Sequence, residues 1–189
     1  MAGVREAKHA ANLQRILEAG SELFEQHDYA DVTTNMLAQR ADVSVGTLFR
    51  HIGSKAALLV SVIKKTLHQP VQTLRPATTI PLAIQAVMAL VEPFLDLAVR
   101  QPKNVIVFQR EVLYGEADGS EVVGIVQALE PQIGEIVAEL RGIPSQNLTH
   151  TLYSVIYMDF LQATTGSARM EDLPERMRES VSAVLYNWR

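Results

Sequence analysis

The fold of this chain is decided by residues 32–59, VTTNMLAQRADVSVGTLFRHIGSKAALL, which are typical of two short helices joined by a tight turn. Thr33 or Thr34 can accept a hydrogen bond from the free amides of a helix start, and apolar residues follow at helical spacing. This pattern predicts a helix from Thr34 to Arg40. Asp42 follows where the chain must reverse, and aspartate is one of the few residue types besides glycine that tolerates a positive φ.

The second helix of the pair begins with small residues. Ser44 can cap it, and helical spacing divides its side chains into two sets. The face predicted to bury consists of Val45, Leu48 and Phe49. The face predicted to meet a partner consists of Gly46, Thr47 and Arg50. A helix this short is not stable alone, so its apolar residues must dock on neighbouring helices, and its small-residue tip can then press against the edges of DNA bases.

Further helices are predicted on both sides of this pair. Gly53 ends the second helix, and Ser54 caps a longer helix that runs to about Gln69, before a proline. Upstream, apolar residues at intervals of three and four predict an amphipathic helix over residues 10–27, with Tyr29 tucked beneath the bundle.

This order of helices resembles the DNA-binding domain of the TetR family of bacterial transcriptional regulators. The resemblance covers residues 10–67 and is carried by ILEAGSELFEQHDYADVTTNMLAQRADVSVGTLFRHIGSKAALL at residues 16–59, whose helices occur in the family's order and spacing. It implies an all-α protein. An N-terminal helix-turn-helix three-helix DNA-binding domain is expected in residues 1–69, and a C-terminal helical ligand-binding and dimerisation domain is expected in residues 70–189.

Two positions depart from the family pattern. The family often has glycine where this chain has Asp42, and usually tyrosine where it has Phe49. Because the tyrosine hydroxyl commonly touches a phosphate in the family, that contact is expected to be lost. Anchoring to the DNA backbone is then expected to depend on Thr34, His51 and Lys55, which match phosphate-contact positions of the family. The full set implied to bind DNA is Thr34, Arg40, Ser44, Val45, Gly46, Thr47, Phe49, Arg50, His51 and Lys55.

Charge is unevenly distributed along the chain. The net charge of −4 argues against a general nucleic-acid binder. Residues 40–65 nevertheless carry five basic residues and one acidic residue, a local net charge of +4, whereas five acidic residues lie in the first helix and the loop after it. The basic side is therefore expected to face DNA and the acidic side to face away. Arg5 and Lys8, before the first predicted helix, are expected to form either a mobile arm on the DNA or a solvated terminus.

The composition argues against catalysis. The chain has no cysteine, which excludes disulfides, cysteine zinc sites and thiol chemistry. Its five histidines form no pair at the i, i+4 spacing of a helical metal site, and no phosphate-binding glycine loop or serine nucleophile elbow is present. The chain is therefore predicted not to be an enzyme, with no catalytic residue, no metal site and no cofactor.

The hydropathy pattern predicts a soluble, cytoplasmic protein with no membrane partner. The N-terminus is charged and lacks the apolar core of a secretory signal. The most apolar uncharged run, residues 82–91, is well short of the roughly 20 residues needed to cross a membrane.

The sequence changes character beyond residue 69. Three prolines within residues 70–81 mark a connection to a second domain, in which every segment again has helical spacing. Pro93 and Pro131 are predicted to kink the helices that contain them, and the GEADGS stretch at residues 115–120 is predicted to break the chain between two helices.

The last two predicted helices cover residues 145–165 and 173–188. The first of them is apolar on two sides and is therefore predicted to be sandwiched between other helices. In the TetR family the last two long helices pair with their copies in a second subunit, so the resemblance implies a homodimer through these segments. A two-fold dimer can read two DNA half-sites.

The resemblance also implies a small-molecule effector among the middle helices. The apolar candidates are Met88, Phe94, Phe108, Tyr114, Tyr153, Tyr157 and Met158, with Gln109, Arg110 and Asp159 as polar contacts. Core packing is the alternative role for each apolar candidate. A carboxylate on an otherwise apolar stretch needs a partner, which for Asp159 is predicted to be Arg110 or an amine of the ligand.

These observations favour a ligand-responsive DNA-binding transcriptional regulator. The specific prediction is a dimeric repressor that a small hydrophobic or aromatic effector releases from double-stranded operator DNA. The alternative is a helical adaptor of the same fold that binds a ligand or a protein and no longer reads DNA.

Overall fold

The computed structural model describes residues 2–67, 76–114 and 119–188, with side chains from residue 6 in the first range and from residue 129 in the last. This described part of the chain is all-α and contains no strand. Its elements are α1 (Ala2–Gln26), α2 (Thr34–Arg40), α3 (Val45–Ile52), α4 (Lys55–Leu67), α5 (Ile80–Arg100), α6 (Pro102–Tyr114), α7 (Gly119–Arg141), α8 (Gln146–Thr164) and α9 (Leu173–Asn187), with a 3-10 turn at Met170–Asp172.

The helices form two compact units. The first unit contains α1 to α4 together with α6, and the second contains α5, α7, α8 and α9. The core of the first unit is built from fully buried side chains of α1 to α4 and α6, which include Ile16, Phe24, Leu37, Leu48, Leu58, Leu59 and Phe108.

A glycine in α1 sets how closely α4 can approach it. A Cβ atom built at Gly20 would lie 3.1 Å from the side chain of Leu58, which is tighter than an ordinary contact. The absence of a side chain at Gly20 therefore allows α4 to pack directly on the backbone of α1.

The capping and turn chemistry predicted for the helix-turn-helix is confirmed. Thr33 caps α2, because its side chain accepts a hydrogen bond from the amide of Met36 at 3.2 Å. Asp42 has a φ of 51° in the turn, and Gly53 has a φ of 67° at the end of α3. Both values lie in the left-handed region, which aspartate and glycine adopt at lower cost than most residues.

Asn104 of α6 ties that helix to the end of α1. Its side chain is 2% exposed, and its Nδ2 donates to the backbone oxygens of Phe24 at 2.8 Å and His27 at 3.2 Å. Its Oδ1 accepts from the amide of Tyr29 at 2.6 Å. The carboxamide thus satisfies carbonyls that the end of α1 leaves without helical partners.

The second unit is organised around α9, which packs against α8 and α5. By length and composition α5 could cross a membrane, but half of its most apolar stretch is buried inside the protein. Buried residues such as Val87 and Val91 identify it as a core helix of this unit. The uncharged run at residues 82–91 is shorter than this helix, which continues to Arg100.

The predicted start of the first helix needs correction. The first helix begins at Ala2 rather than at residue 10, so Arg5 and Lys8 belong to α1 and do not form an arm. Both α5 and α7 continue through Pro93 and Pro131 as helices, and the kinks predicted at these prolines stay predictions. Residues 68–75 and 115–118, which include half of the predicted connection and part of the predicted break, lie outside the described residues.

Candidate nucleic-acid interface

The start of α3 is held by a hydroxyl cap. Ser44 lies in an extended conformation before the helix, and its Oγ accepts a hydrogen bond from the amide of Thr47 at 3.1 Å. The Oγ of Ser44 also lies 2.9 Å from the Thr47 Oγ1, so the two hydroxyls bond to each other. Both hydroxyls at the tip of α3 and the amide of Thr47 therefore have a partner within this segment.

The buried and exposed faces of α3 differ from the prediction. Leu48 is 0% exposed, but Val45 is 36% and Phe49 42% exposed, so the predicted burial of these two residues beside Leu48 is wrong. Successive residues turn by about 100° around a helix, and the buried arc here is centred between Leu48 and the half-buried His51. Val45 and Phe49 lie beyond the edge of that arc, on the same side as Gly46 and Arg50, which are also exposed.

Gly46 is not required by the fold of this chain. A Cβ atom built there would meet nothing within 4 Å, and its φ is outside the left-handed region. A glycine inside a helix nevertheless costs roughly 1 kcal/mol relative to alanine. The missing side chain at Gly46 therefore leaves room for a molecule other than this chain, in the first turn of α3.

Two histidines from different helices meet beside this exposed face. The ring of His51 in α3 lies 4.1 Å from the ring of His9 in α1, between centroids. The Nδ1 atom of His51 is buried and has no hydrogen-bond partner within the described residues. Burial, followed by the neighbouring His9 and Arg50, lowers the pKa of His51. These surroundings favour the neutral form of the His51 ring in the free protein.

Lys55, predicted to touch a phosphate, is directed inward in this structure. Its Nζ donates to the backbone oxygens of Tyr29 and Val32, each at 2.7 Å, and lies 4.0 Å from the centre of the Tyr29 ring. Burial lowers the pKa of Lys55, and the charge of Asp31 opposes that shift. These bonds fix the connection between α1 and α2, while the phosphate contact stays a prediction.

The other basic and hydroxyl candidates surround α3. Arg40, at the end of α2, forms an ion pair with Glu22 of α1. Thr34 is half-buried at the start of α2, next to the capping Thr33. The turn aspartate Asp42 is paired with Arg15 at 3.1 Å. Much of the charge around α3 is therefore internally compensated, and Arg50 is the exposed cation on the face that carries Gly46.

The candidate ligand residues of α6 belong to the first unit. Phe108 and Gln109 are buried, and Gln109 Nε2 has no hydrogen-bond partner in the described part of the chain. Arg110 lies 3.3 Å from the carboxylate of Glu111, and Tyr114 is 82% exposed.

The remaining candidates belong to the second unit. Met88 is buried in α5, and the Phe94 ring contacts that of Phe160 with 4.3 Å between centroids. In α8 the half-buried rings of Tyr153 and Tyr157 are stacked at 6.4 Å, whereas Met158 is 50% exposed.

Asp159 has a different partner from the one predicted. Its carboxylate accepts a hydrogen bond from Arg176 of α9 at 3.0 Å, and Arg176 also donates to Gln162 at 2.8 Å. The proposal of Arg110 as the partner is therefore wrong, because α9 packs against α8 and brings Arg176 to the carboxylate. The ion pair gives Asp159 Oδ1 a partner, whereas Asp159 Oδ2 and Arg176 Nη1 are buried with no hydrogen-bond partner among the described residues.

Sequence reasoning missed three residues that organise these sites: Asn104, Arg176 and the contact made by His9. A signal was available for Asn104, a polar residue that lies one helical turn before the apolar Val107 and Phe108 of α6. No comparable signal marks Arg176 or His9, because their roles depend on which helices pack together.

Comparison with known proteins agrees with the presence of a helix-turn-helix in the first unit. Residues 16–62 match the family of bacterial regulatory proteins, tetR family. The chain is 25% identical over 177 residues to the HTH-type transcriptional repressor KstR of Mycobacterium tuberculosis, an alignment that covers 91% of this chain and 80% of that protein. KstR of Rhodococcus jostii is 44% identical over 52 residues, which is 28% of this chain and 24% of that protein.

The fold is shared with solved structures along almost the whole chain. A TetR transcriptional regulator from Rhodococcus sp. RHA1 superposes with a TM-score of 0.61 at 20% identity, covering 97% of this chain and 99% of that one. Taken with the capped helix-turn-helix of α2 and α3, these matches show that residues 16–62 form a helix-turn-helix domain of the tetR family type and that the chain shares the fold of a TetR transcriptional regulator.

Proposed function

We propose that this protein is a dimeric repressor that places α3 of each subunit in the major groove of an operator and leaves it when a small hydrophobic or aromatic effector binds. The observation that carries the proposal is Gly46, a helical glycine that no contact within the described chain requires. A helix backbone without a side chain at this position can approach base edges closely.

The surrounding residues suit separate roles at DNA. Gly46 and Thr47 would lie nearest the base pairs, and the exposed Arg50 would contact a phosphate or a guanine. Thr34, Arg40, His51 and Lys55 would contact the backbone on either side of the groove, although Arg40 and Lys55 must share their charge with partners inside the protein.

The second unit supports a dimer through α8 and α9. These helices pack against each other and still expose large apolar side chains, including Met158 at 50% and Tyr186 at 62%. A symmetric pair would double the few base contacts of one α3 helix and match a two-fold operator. Sedimentation equilibrium should give a mass of two chains, and a monomer at micromolar concentration would contradict this part of the proposal.

The effector would bind within the second unit, where Met88, Phe94, Tyr153 and Tyr157 supply apolar and aromatic surface. A ligand that prefers the DNA-incompetent state by roughly 1–3 kcal/mol would be sufficient to release the operator. Compounds that raise the melting temperature should therefore also weaken DNA binding. If every stabilising compound leaves the operator affinity unchanged, release by an effector is excluded.

The main experiment is DNA binding by the purified full chain to the region upstream of its own gene, followed by fluorescence anisotropy at several salt concentrations. We expect the affinity to fall steeply with salt, because basic residues displace counterions from phosphates. Arg50→Gln should weaken binding and reduce the salt slope by roughly one per lost phosphate contact. Arg141→Gln, a matched change at an exposed arginine of α7, should change neither quantity.

Absence of salt-dependent DNA binding would exclude the repressor proposal. If neither the upstream region nor a selected pool of random DNA is bound in a salt-dependent manner, the repressor proposal is wrong. An adaptor of the same fold, acting through a ligand or a protein, would then be the better account.

A further inference from the structure

The exposed face of α3 carries an apolar stripe. Val45 and Phe49 are one helical turn apart, so their side chains lie next to each other on the surface. They are 36% and 42% exposed, whereas the intervening Leu48 is fully buried. Two large apolar side chains held in water beside a basic patch indicate that a partner covers them.

The polar groups near this stripe are of limited use for reading bases. The hydroxyls of Ser44 and Thr47 are hydrogen-bonded to each other, and Gly46 has no side chain. Arg50 is the hydrogen-bond donor that the exposed face presents alongside the stripe. One of the two hydroxyl hydrogens stays available, so hydrogen-bonded readout by α3 would depend mainly on Arg50 and on that single hydroxyl donor.

The major groove offers one apolar group at the base edges, the C5 methyl of thymine. Resting on the function proposed above, we infer that Val45 and Phe49 form a reading stripe for thymine methyl groups in each half-site. DNA is the occupant favoured by the surroundings, because the exposed Arg50 lies on the same side of α3 as the stripe, which lies beside the empty space at Gly46. Close approach of the helix backbone to base edges accounts for the missing side chain at Gly46, whereas contact with a protein partner does not by itself require it.

The inference specifies which chemical group of the operator is recognised. The base pairs under the stripe are discriminated by a methyl group rather than by a hydrogen bond. Removal of one buried methyl group should weaken binding about fourfold, the change that corresponds to roughly 0.8 kcal/mol of apolar transfer free energy. Replacement of thymine by uracil removes only that methyl group and leaves the hydrogen-bonding edge unchanged.

The test begins with a half-site sequence selected by the full chain from random double-stranded DNA. Each thymine is then replaced in turn by uracil, and the affinity is measured by anisotropy. We expect about fourfold weaker binding at one or two thymines per half-site and no change at thymines outside the half-sites. At the sensitive positions, a cytosine replacement should bind more tightly when it is 5-methylcytosine.

Protein variants assign the effect to the stripe. In Val45→Thr, which keeps the shape and replaces a methyl by a hydroxyl, and in Phe49→Ala, the uracil effect at the sensitive thymines should be largely lost. Arg50→Gln should bind more weakly overall but keep the full uracil effect. Urea unfolding of each variant confirms that the protein is folded at the assay temperature.

The outcomes separate this inference from the proposed function. If the chain binds a selected operator but every uracil replacement leaves the affinity unchanged, the reading stripe is wrong and the repressor function stands. An undiminished uracil effect in both Val45→Thr and Phe49→Ala would also overturn it. If no DNA is bound under any condition, the proposed function itself fails.

Discussion

The two helical glycines of the first unit, Gly20 and Gly46, occupy opposite situations. A side chain at Gly20 would collide with Leu58 of α4, whereas a side chain at Gly46 would meet nothing within 4 Å. Each glycine costs its helix roughly 1 kcal/mol relative to alanine. At Gly20 close packing offsets this cost, but at Gly46 no contact within the described chain does so.

The difference separates two surfaces of the same small unit. The inner surface, where α1 meets α4 and where Leu48 is buried, determines stability. The outer surface, formed by Val45, Gly46, Phe49 and Arg50, is exposed, and the proposed function places it against DNA. Substitutions on the inner surface should therefore change the free energy of unfolding, and those on the outer surface should change DNA affinity.

The largest expected effect is a difference in the free energy of unfolding between variants at two neighbouring residues of α3. Leu48→Ala should lower the free energy of unfolding by about 2–5 kcal/mol, because it removes a fully buried side chain. Phe49→Ala should cost only roughly 1 kcal/mol, since 42% of that residue is already exposed. Urea unfolding followed by circular dichroism measures both values. Equal losses in the two variants would show that the two surfaces are not distinct.

A smaller difference in stability is expected when each of the two glycines is replaced by valine. Gly20→Val should destabilise the protein by about 1–3 kcal/mol, because the added side chain overpacks the contact with Leu58. Gly46→Val is the matched control and should leave the unfolding midpoint nearly unchanged. A stable Gly20→Val variant would mean that α4 can withdraw from α1 without cost.

The smallest expected effect is a pH dependence, which has opposite signs for the free energy of unfolding and for the DNA affinity. The pKa of His51 is lowered in the folded protein, by burial first and then by His9 and Arg50. Its contribution to stability is therefore present above the unfolded-state pKa of about 6.5 and is lost as the pH falls through the lowered value. Nearby phosphates favour the protonated ring, so DNA affinity should instead increase as the pH falls below about 6.5.

The matched variant for this prediction is His51→Gln. The affinity of the original protein should rise by at most about tenfold per pH unit, the limit for uptake of one proton. His51→Gln should lose most of this dependence, and His9→Gln should shift it to higher pH because one neighbouring positive charge is removed. A pH profile that is unchanged in His51→Gln would place the titrating group elsewhere.

The local parts of this molecule could be predicted from its sequence. Thr33, Ser44 and Gly53 set the ends of α2 and α3 by capping and turn chemistry that involves only neighbouring residues. The positive φ of Asp42 was predicted for the same reason. Such features depend on a few adjacent residues and are therefore visible in the order of amino acids.

The tertiary parts could not be predicted in the same way. The rotation of α3 that exposes Val45 and Phe49 depends on where α1 and α2 contact it, which the spacing of apolar residues does not fix. The inward direction of Lys55 and the pairing of Asp159 with Arg176 likewise depend on distant segments. The ligand-binding residues carry no local motif, so sequence reasoning could supply only candidates for them.

Glycine at position 46 is proposed to be needed for DNA binding and not for folding, and one variant tests this directly. In Gly46→Ala the free energy of unfolding should stay constant or rise by up to about 1 kcal/mol, because alanine is the better helix former and its Cβ meets nothing. The affinity for the selected operator should fall at least tenfold in the same preparation. An operator affinity equal to that of the original protein, in a variant that is folded and at least as stable, would contradict the claim.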